Sequence, residues 1–188
     1  MNTALKYSCA VCVCTALALS IAVVANSAVE TSQDKYTLKV PGGMAFSEFK
    51  GYEAWETVST SQTDKAIAVI VANPVMIAAF KAGAPGNGKP FPDGSKMAKV
   101  HWNPKKSETF AGPIVPGTLR DVDFMQKDST RFADSGGWGY AVFKYDTATD
   151  KFALGTTADQ QSDDAKCGFA CHTIVKARDY VFTEYGKR

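Results

Sequence analysis

Apolar and polar positions along the chain separate into short blocks rather than long periodic segments. Phe46, Phe49, Tyr52 and Trp55 recur every three residues, a spacing that predicts one buried face of a helix. Ala66 to Ala72 (Ala-Ile-Ala-Val-Ile-Val-Ala) is an uninterrupted apolar run of strand length. Asn73-Pro74 then predicts a helix through Val75, Ala78, Ala79 and Lys81. Asn73 is placed to cap the first turn, and Pro74 occupies a position where a missing N–H costs nothing. Gly83-Ala84-Pro85-Gly86-Asn87-Gly88 ends that helix in a surface loop. Residues 29–43 are polar and read as a loose lead-in closing at Pro41-Gly42-Gly43.

Beyond the Pro92-Asp93-Gly94 turn the chain reads as β. Ser95 to Trp102 predicts a strand with Met97, Lys99 and His101 on one face and Lys96, Ala98, Val100 and Trp102 on the other. Thr118 to Gln126, Trp138 to Tyr145 and Lys151 to Leu154 follow as further strands, the last two joined by a hairpin loop at Asp146 to Asp150. Consecutive strands with short turns imply an antiparallel sheet of about five strands with flanking helices, an α+β class single domain. The C-terminal segment lies behind that sheet.

The N-terminus alters the count of available chemistry. Lys6 is the only charged residue before Glu30, and Cys9 to Ala25 is almost wholly Ala, Val, Leu, Ile and Cys. A basic start, an apolar centre and small residues at Ala25 to Ala28 predict a cleavable secretory signal over residues 1–28, cut after Ala25 or Ala28. The other reading is a retained anchor, for which the stretch is short of the ~20 residues a spanning helix needs. Export predicts a periplasmic protein of residues 29–188. Of the five cysteines, Cys9, Cys12 and Cys14 would leave with the signal, and Cys167 and Cys171 would remain. Without Lys6, 20 basic residues stand against 19 acidic ones, and they are scattered along the chain. Nothing in that distribution supports a nucleic-acid partner.

Cys167-Gly168-Phe169-Ala170-Cys171-His172 is the sharpest feature. Two thiols and an adjacent histidine suit covalent haem: the sulfurs add to the two vinyl groups and the imidazole ligates iron. The usual spacing leaves two residues between the cysteines, whereas this chain has three, which Gly168 could help to absorb in a bulge. A Cys167–Cys171 disulfide is the rival reading. A zinc site would have to draw on Cys167, Cys171, His172 and His101, with adjacent ligands at Cys171 and His172 strained on one tetrahedral ion.

Four stretches resemble the cytochrome P-460 family of periplasmic c-type haem proteins. They are Phe-Pro-Asp-Gly-Ser-Lys-Met-Ala-Lys-Val-His-Trp (91–102), Lys-Asp-Ser-Thr-Arg-Phe (127–132), Gly-Gly-Trp-Gly-Tyr-Ala-Val-Phe (136–143) and the Cys-Gly-Phe-Ala-Cys-His segment with Asp-Tyr-Val-Phe-Thr (179–183) after it. The resemblance implies a haem c lying against an antiparallel sheet, commonly in a homodimer, with His172 on the iron. It further implies one of two activities. Some members oxidise hydroxylamine and carry a lysine covalently joined to the haem; others, related to beta-type cytochromes c-prime, bind diatomic gases such as nitric oxide in an apolar pocket. Lys99 matches the cross-linking lysine. Asp123 lies near the position of a distal carboxylate that relays protons, with Asp121 on the same strand face as an alternative. Oxidation of hydroxylamine to nitric oxide releases three protons, so a base is required. The expected function is therefore a haem oxidoreductase acting on hydroxylamine or a related small nitrogen compound, with an electron-transfer partner that the sequence does not identify. The alternatives are a nitric-oxide-binding or electron-carrying cytochrome and a haem-free disulfide relative. Phe124, Phe132, Trp138, Tyr140 and Phe143 read mainly as sheet and core packing rather than haem lining.

Overall fold

The computed structural model describes residues 34–40, 43–154 and 166–188, all within one compact unit. The expected signal segment, residues 1–28 with Cys9, Cys12 and Cys14, lies outside the described residues. Six strands form a meander in which every neighbour is antiparallel, in the order β1 to β6. They are β1 (Glu56–Thr63), β2 (Ala66–Ala72), β3 (Lys96–Lys106), β4 (Ile114–Lys127), β5 (Trp138–Asp146) and β6 (Lys151–Leu154). The expected α+β architecture is present, with one strand more than the pattern predicts. That strand, β1, reads Glu-Thr-Val-Ser-Thr-Ser-Gln-Thr and buries only Val58. An edge strand needs no apolar alternation, so hydrophobicity gave no sign of it.

Two helices flank the sheet, α1 (Pro74–Lys81) and α2 (Lys166–His172). The Asn73 side chain accepts from Met76 N at 3.1 Å and from Lys96 N at 3.0 Å, so one amide caps α1 and ties it to the start of β3. Phe46, Phe49 and Tyr52 do not lie on an α-helix. They sit on two 3₁₀ turns, Phe46–Phe49 and Tyr52–Ala54, hinged at Gly51 with φ +84°. A strict three-residue repeat matches the 3.0 residues per turn of a 3₁₀ helix better than 3.6, which explains the correction. The lead-in is also less loose than expected. Lys39 bridges Ala45, and Val40 and Met44 are buried.

The two sheet faces are packed differently. Val71, Ala98, Val122, Phe124, Ala141 and Phe143 face Phe46, Phe49 and Tyr52, with Phe49 stacked on Phe124 at 4.0 Å. Burying each of the Val and Phe side chains among them contributes about 1.5–3 kcal/mol. Among the described residues the opposite face is packed at one end, where Ile70, Met97, Met125 and Tyr140 join Met76, Phe80, Phe91, Trp138, Tyr180 and Val181. The rest of that face is left for a site.

Candidate functional site

Antiparallel register arranges the open face in rungs, because directly paired residues share a face. One rung is Ala72, Met97, Met125 and Tyr140; the next is Ile70, Lys99, Asp123 and Val142; the third is Ala68, His101, Asp121 and Lys144. Polarity therefore rises step by step across the sheet. The α2 segment and the Val181–Thr183 stretch close over the first two rungs. They leave a cleft of ≈ 340 Å³ that Lys99, Asp123, Cys171 and His172 all line, within the ~300–1,000 Å³ range of small-molecule sites. Asp123 also lines a polar groove on its other side, shared with His101, Asp121 and Lys144.

Residues 167–172 belong to α2, so the expected loop bulge is absent. Gly168 serves closeness instead: a Cβ there would stand 2.6 Å from Tyr140 Cβ, so only glycine lets α2 lie this close to β5. In a helix, positions 167 and 171 are four apart and share a face. Helical i, i+4 spacing puts Cβ atoms ≈ 5–6 Å apart, wider than the ~3.8 Å of a disulfide. Cys171 is a free, exposed thiol, while the Cys167 side chain lies outside the described residues.

His172 is held in one orientation. Its Nδ1 donates to Tyr180 O at 2.6 Å, since a carbonyl oxygen can only accept. That contact fixes the tautomer and leaves Nε2 with the lone pair. The rings of Tyr140 and Phe182 lie at 4.8 and 4.9 Å from the imidazole. Burial pushes the His172 pKa down and the Lys99 charge adds to this, against the Tyr180 contact. The neutral form is thereby favoured.

The two aspartates of β4 differ sharply. Asp121 is 5% exposed, with His101 Nδ1 at 2.6 Å, Lys144 Nζ at 3.5 Å and Arg120 at 3.9 Å. Burial pushes its carboxyl up, but the His101 hydrogen bond and the Lys144 and Arg120 charges outweigh burial and hold it below the ordinary range. Asp123 has only the farther reach of His101, at 3.8 Å. Burial, reinforced by the Asp121 charge, raises its pKa to about 6 despite His101, Lys99 and Lys144. Asp123 is thus the carboxylate on the cleft, and Asp121 is the anion that organises the neighbouring cations. Lys99 stands opposite Asp123 on the same rung and lines the cleft, and its charge acts to lower the Asp123 pKa.

The zinc set is not assembled. His101 lines the groove with Asp121 and Asp123 and not the cleft of Cys171 and His172. The aromatic expectation holds for Phe124, Trp138 and Phe143, which are core. Tyr140 departs from it: the ring lines the cleft, and its buried Oη has no hydrogen-bond partner among the described residues. Sequence reasoning did not single out Ile70, Met125 or Phe182 as lining residues. Strand alternation around Lys99 and Asp123 marks the first two; nothing local marks Phe182.

A family model, cytochrome P460, matches residues 49–183, well over half of the chain, and the chain belongs to that family. Comparison with curated proteins yields no match. Membership makes this a haem protein with iron as its metal. The cleft fits such a group: apolar walls from Ile70, Met97, Met125 and Phe182, one tautomer-locked imidazole, and an unsatisfied phenol.

Proposed function

We propose that this member of the cytochrome P460 family is an exported, periplasmic c-type haem oxidoreductase acting on hydroxylamine or a related small nitrogen compound. The observation that carries the reading is the Lys99–Asp123 rung, an amine opposite a carboxylate with pKa about 6, on the cleft that His172 also lines. Cys167 and Cys171, on one face of α2, would supply the two thioether bonds, and His172 Nε2 the axial ligand. Bound haem supplies a redox-active iron with a coordination position for the nitrogen compound. Lys99 lines the same cleft, and by resemblance to the family its Nζ would be the atom joined to the haem.

Hydroxylamine oxidation to nitric oxide releases three protons and three electrons. The electrons pass to an external one-electron acceptor. Asp123 takes the protons: a pKa near 6 leaves it ionised at neutral pH, yet basic enough to accept one. Because Asp123 lines both the cleft and the polar groove, each proton has a route to solvent that avoids the substrate side. By resemblance to the family, the working unit is a homodimer.

The apolar cleft walls favour a second reading, a cytochrome that binds nitric oxide or carries electrons without turnover. The deciding experiment produces the mature chain in a periplasm equipped with haem-attachment enzymes and records intact mass, visible spectrum and hydroxylamine oxidation. Haem mass, a strongly red-shifted Soret band and turnover support the oxidoreductase. Haem mass with an ordinary c-type spectrum and no turnover supports the second reading. An apo mass lower by two hydrogens means a disulfide and overturns both.

A further inference from the structure

Beyond the substrate side, a costly arrangement stands behind His172. Lys127, the last residue of β4, is buried, and so is its partner Asp179; their side chains are 7% and 11% exposed. Lys127 Nζ donates to Asp179 Oδ1 at 2.8 Å and to Gly136 O at 3.0 Å. The other carboxylate oxygen, Asp179 Oδ2, accepts from Phe91 N at 2.8 Å. A buried pair of this kind stabilises little by itself, because desolvation consumes most of the attraction. Its backbone is also strained. Asp179 and Tyr180 are consecutive non-glycine residues at φ +49° and +63°, a conformation that L side chains adopt only when the surroundings enforce it. Tyr180 is held on its other side as well. Its ring packs against Phe169 and closes over Gly136, where a Cβ would stand 2.3 Å from Tyr180 Cε2. The product of this strain is the position of one atom, Tyr180 O, at 2.6 Å from His172 Nδ1.

We propose that Lys127 and Asp179 form a buried latch that positions the Tyr180 carbonyl and, through it, sets the tautomer, orientation and donor strength of His172 towards iron. Both are positioning residues. A strong Nδ1–H···O=C bond makes the imidazole a better electron donor and favours the oxidised metal. Loosening the latch weakens that bond and raises the midpoint potential. The proposal rests on His172 being the axial ligand.

The test compares wild-type holoprotein with Asp179→Asn, which tolerates the left-handed backbone and keeps an acceptor for Phe91 N–H but loses the charge. Resonance Raman of the ferrous protein reads the iron–histidine stretch, and redox titration reads the midpoint potential. The expected result is a stretch shifted to lower frequency and a raised potential, with haem content retained. A folded variant with the wild-type stretch and potential overturns the latch. Should Asp179→Asn not fold, the doubly neutral Lys127→Met, Asp179→Asn protein carries the same comparison, because it leaves no uncompensated buried charge. Independently, the His172 Nδ1–H of the diamagnetic ferrous carbon monoxide complex should exchange slowly with solvent; fast exchange overturns the latch. If wild-type protein shows no iron–histidine stretch, or His172→Ala retains it, the axial assignment has failed instead.

Discussion

Asp121 and Asp123 stand two residues apart on one strand and point to one face, yet their protons are held in opposite ways. Asp121 sits among His101, Lys144 and Arg120, and its carboxyl is driven below its ordinary value of 3.8. Asp123 is one rung nearer the apolar end and is raised from the same value to about 6. Residue type and strand are identical, so the difference lies in what faces each group: a hydrogen-bonding imidazole and two cations against a partly desolvated cleft. The pair shows how a sheet of rungs gives two like carboxylates opposite acidities, and on the proposed function the raised one, Asp123, takes the protons.

The most forceful way to break this division is Asp123→Asn. Steady-state hydroxylamine oxidation should fall about 10²–10⁴-fold, the usual worth of a positioned base, while haem content is unchanged. Unaltered turnover would remove Asp123 from the proposed chemistry. Asp121→Asn should act on folding instead. It removes the charged carboxylate that His101 and Lys144 contact, and denaturant titration should show a loss of about 2 kcal/mol.

The two groups also predict opposite pH effects on stability. The folded pKa of Asp123 lies above its unfolded value, so its contribution is present below pH 3.8 and is lost as pH rises through about 6. For Asp121 the folded pKa lies below 3.8, so its contribution is present above that pH and is lost as pH falls through the depressed value. Denaturant midpoints between pH 4 and 6 should therefore decline less steeply in Asp123→Asn than in wild type. A slope identical in both proteins contradicts the raised pKa. The smallest effect is expected from His101→Gln. His101 lowers the Asp123 pKa, so its loss should move the acidic limb of the turnover profile to higher pH.

Legibility was uneven, for reasons that differ by element. Asn73-Pro74 announced α1 because cap and first-turn chemistry are local, and the side-chain bond to Met76 N delivers what the pair promised. Strands β2, β5 and β6 were readable from apolar runs, whereas β1 escaped because seven of its eight residues remain outside the core. The three-residue aromatic repeat was read as an α-helix when its period already matched 3₁₀ turns. In the site, alternation grouped Met97, Lys99 and His101 correctly. It left open whether Asp121 or Asp123 meets the cleft, since both share that face and only their neighbours tell them apart.

By itself the sequence established the strand periodicity, the cap of α1 and the donors within residues 167–172, because each depends on neighbours a few positions apart. Only the tertiary structure set Lys99 across from Asp123, brought Gly168 against Tyr140 and delivered the Tyr180 carbonyl to His172. Strand register and the latch between Lys127 and Asp179 join residues dozens of positions apart. No local pattern encodes such distances; the packing of the whole sheet decides them.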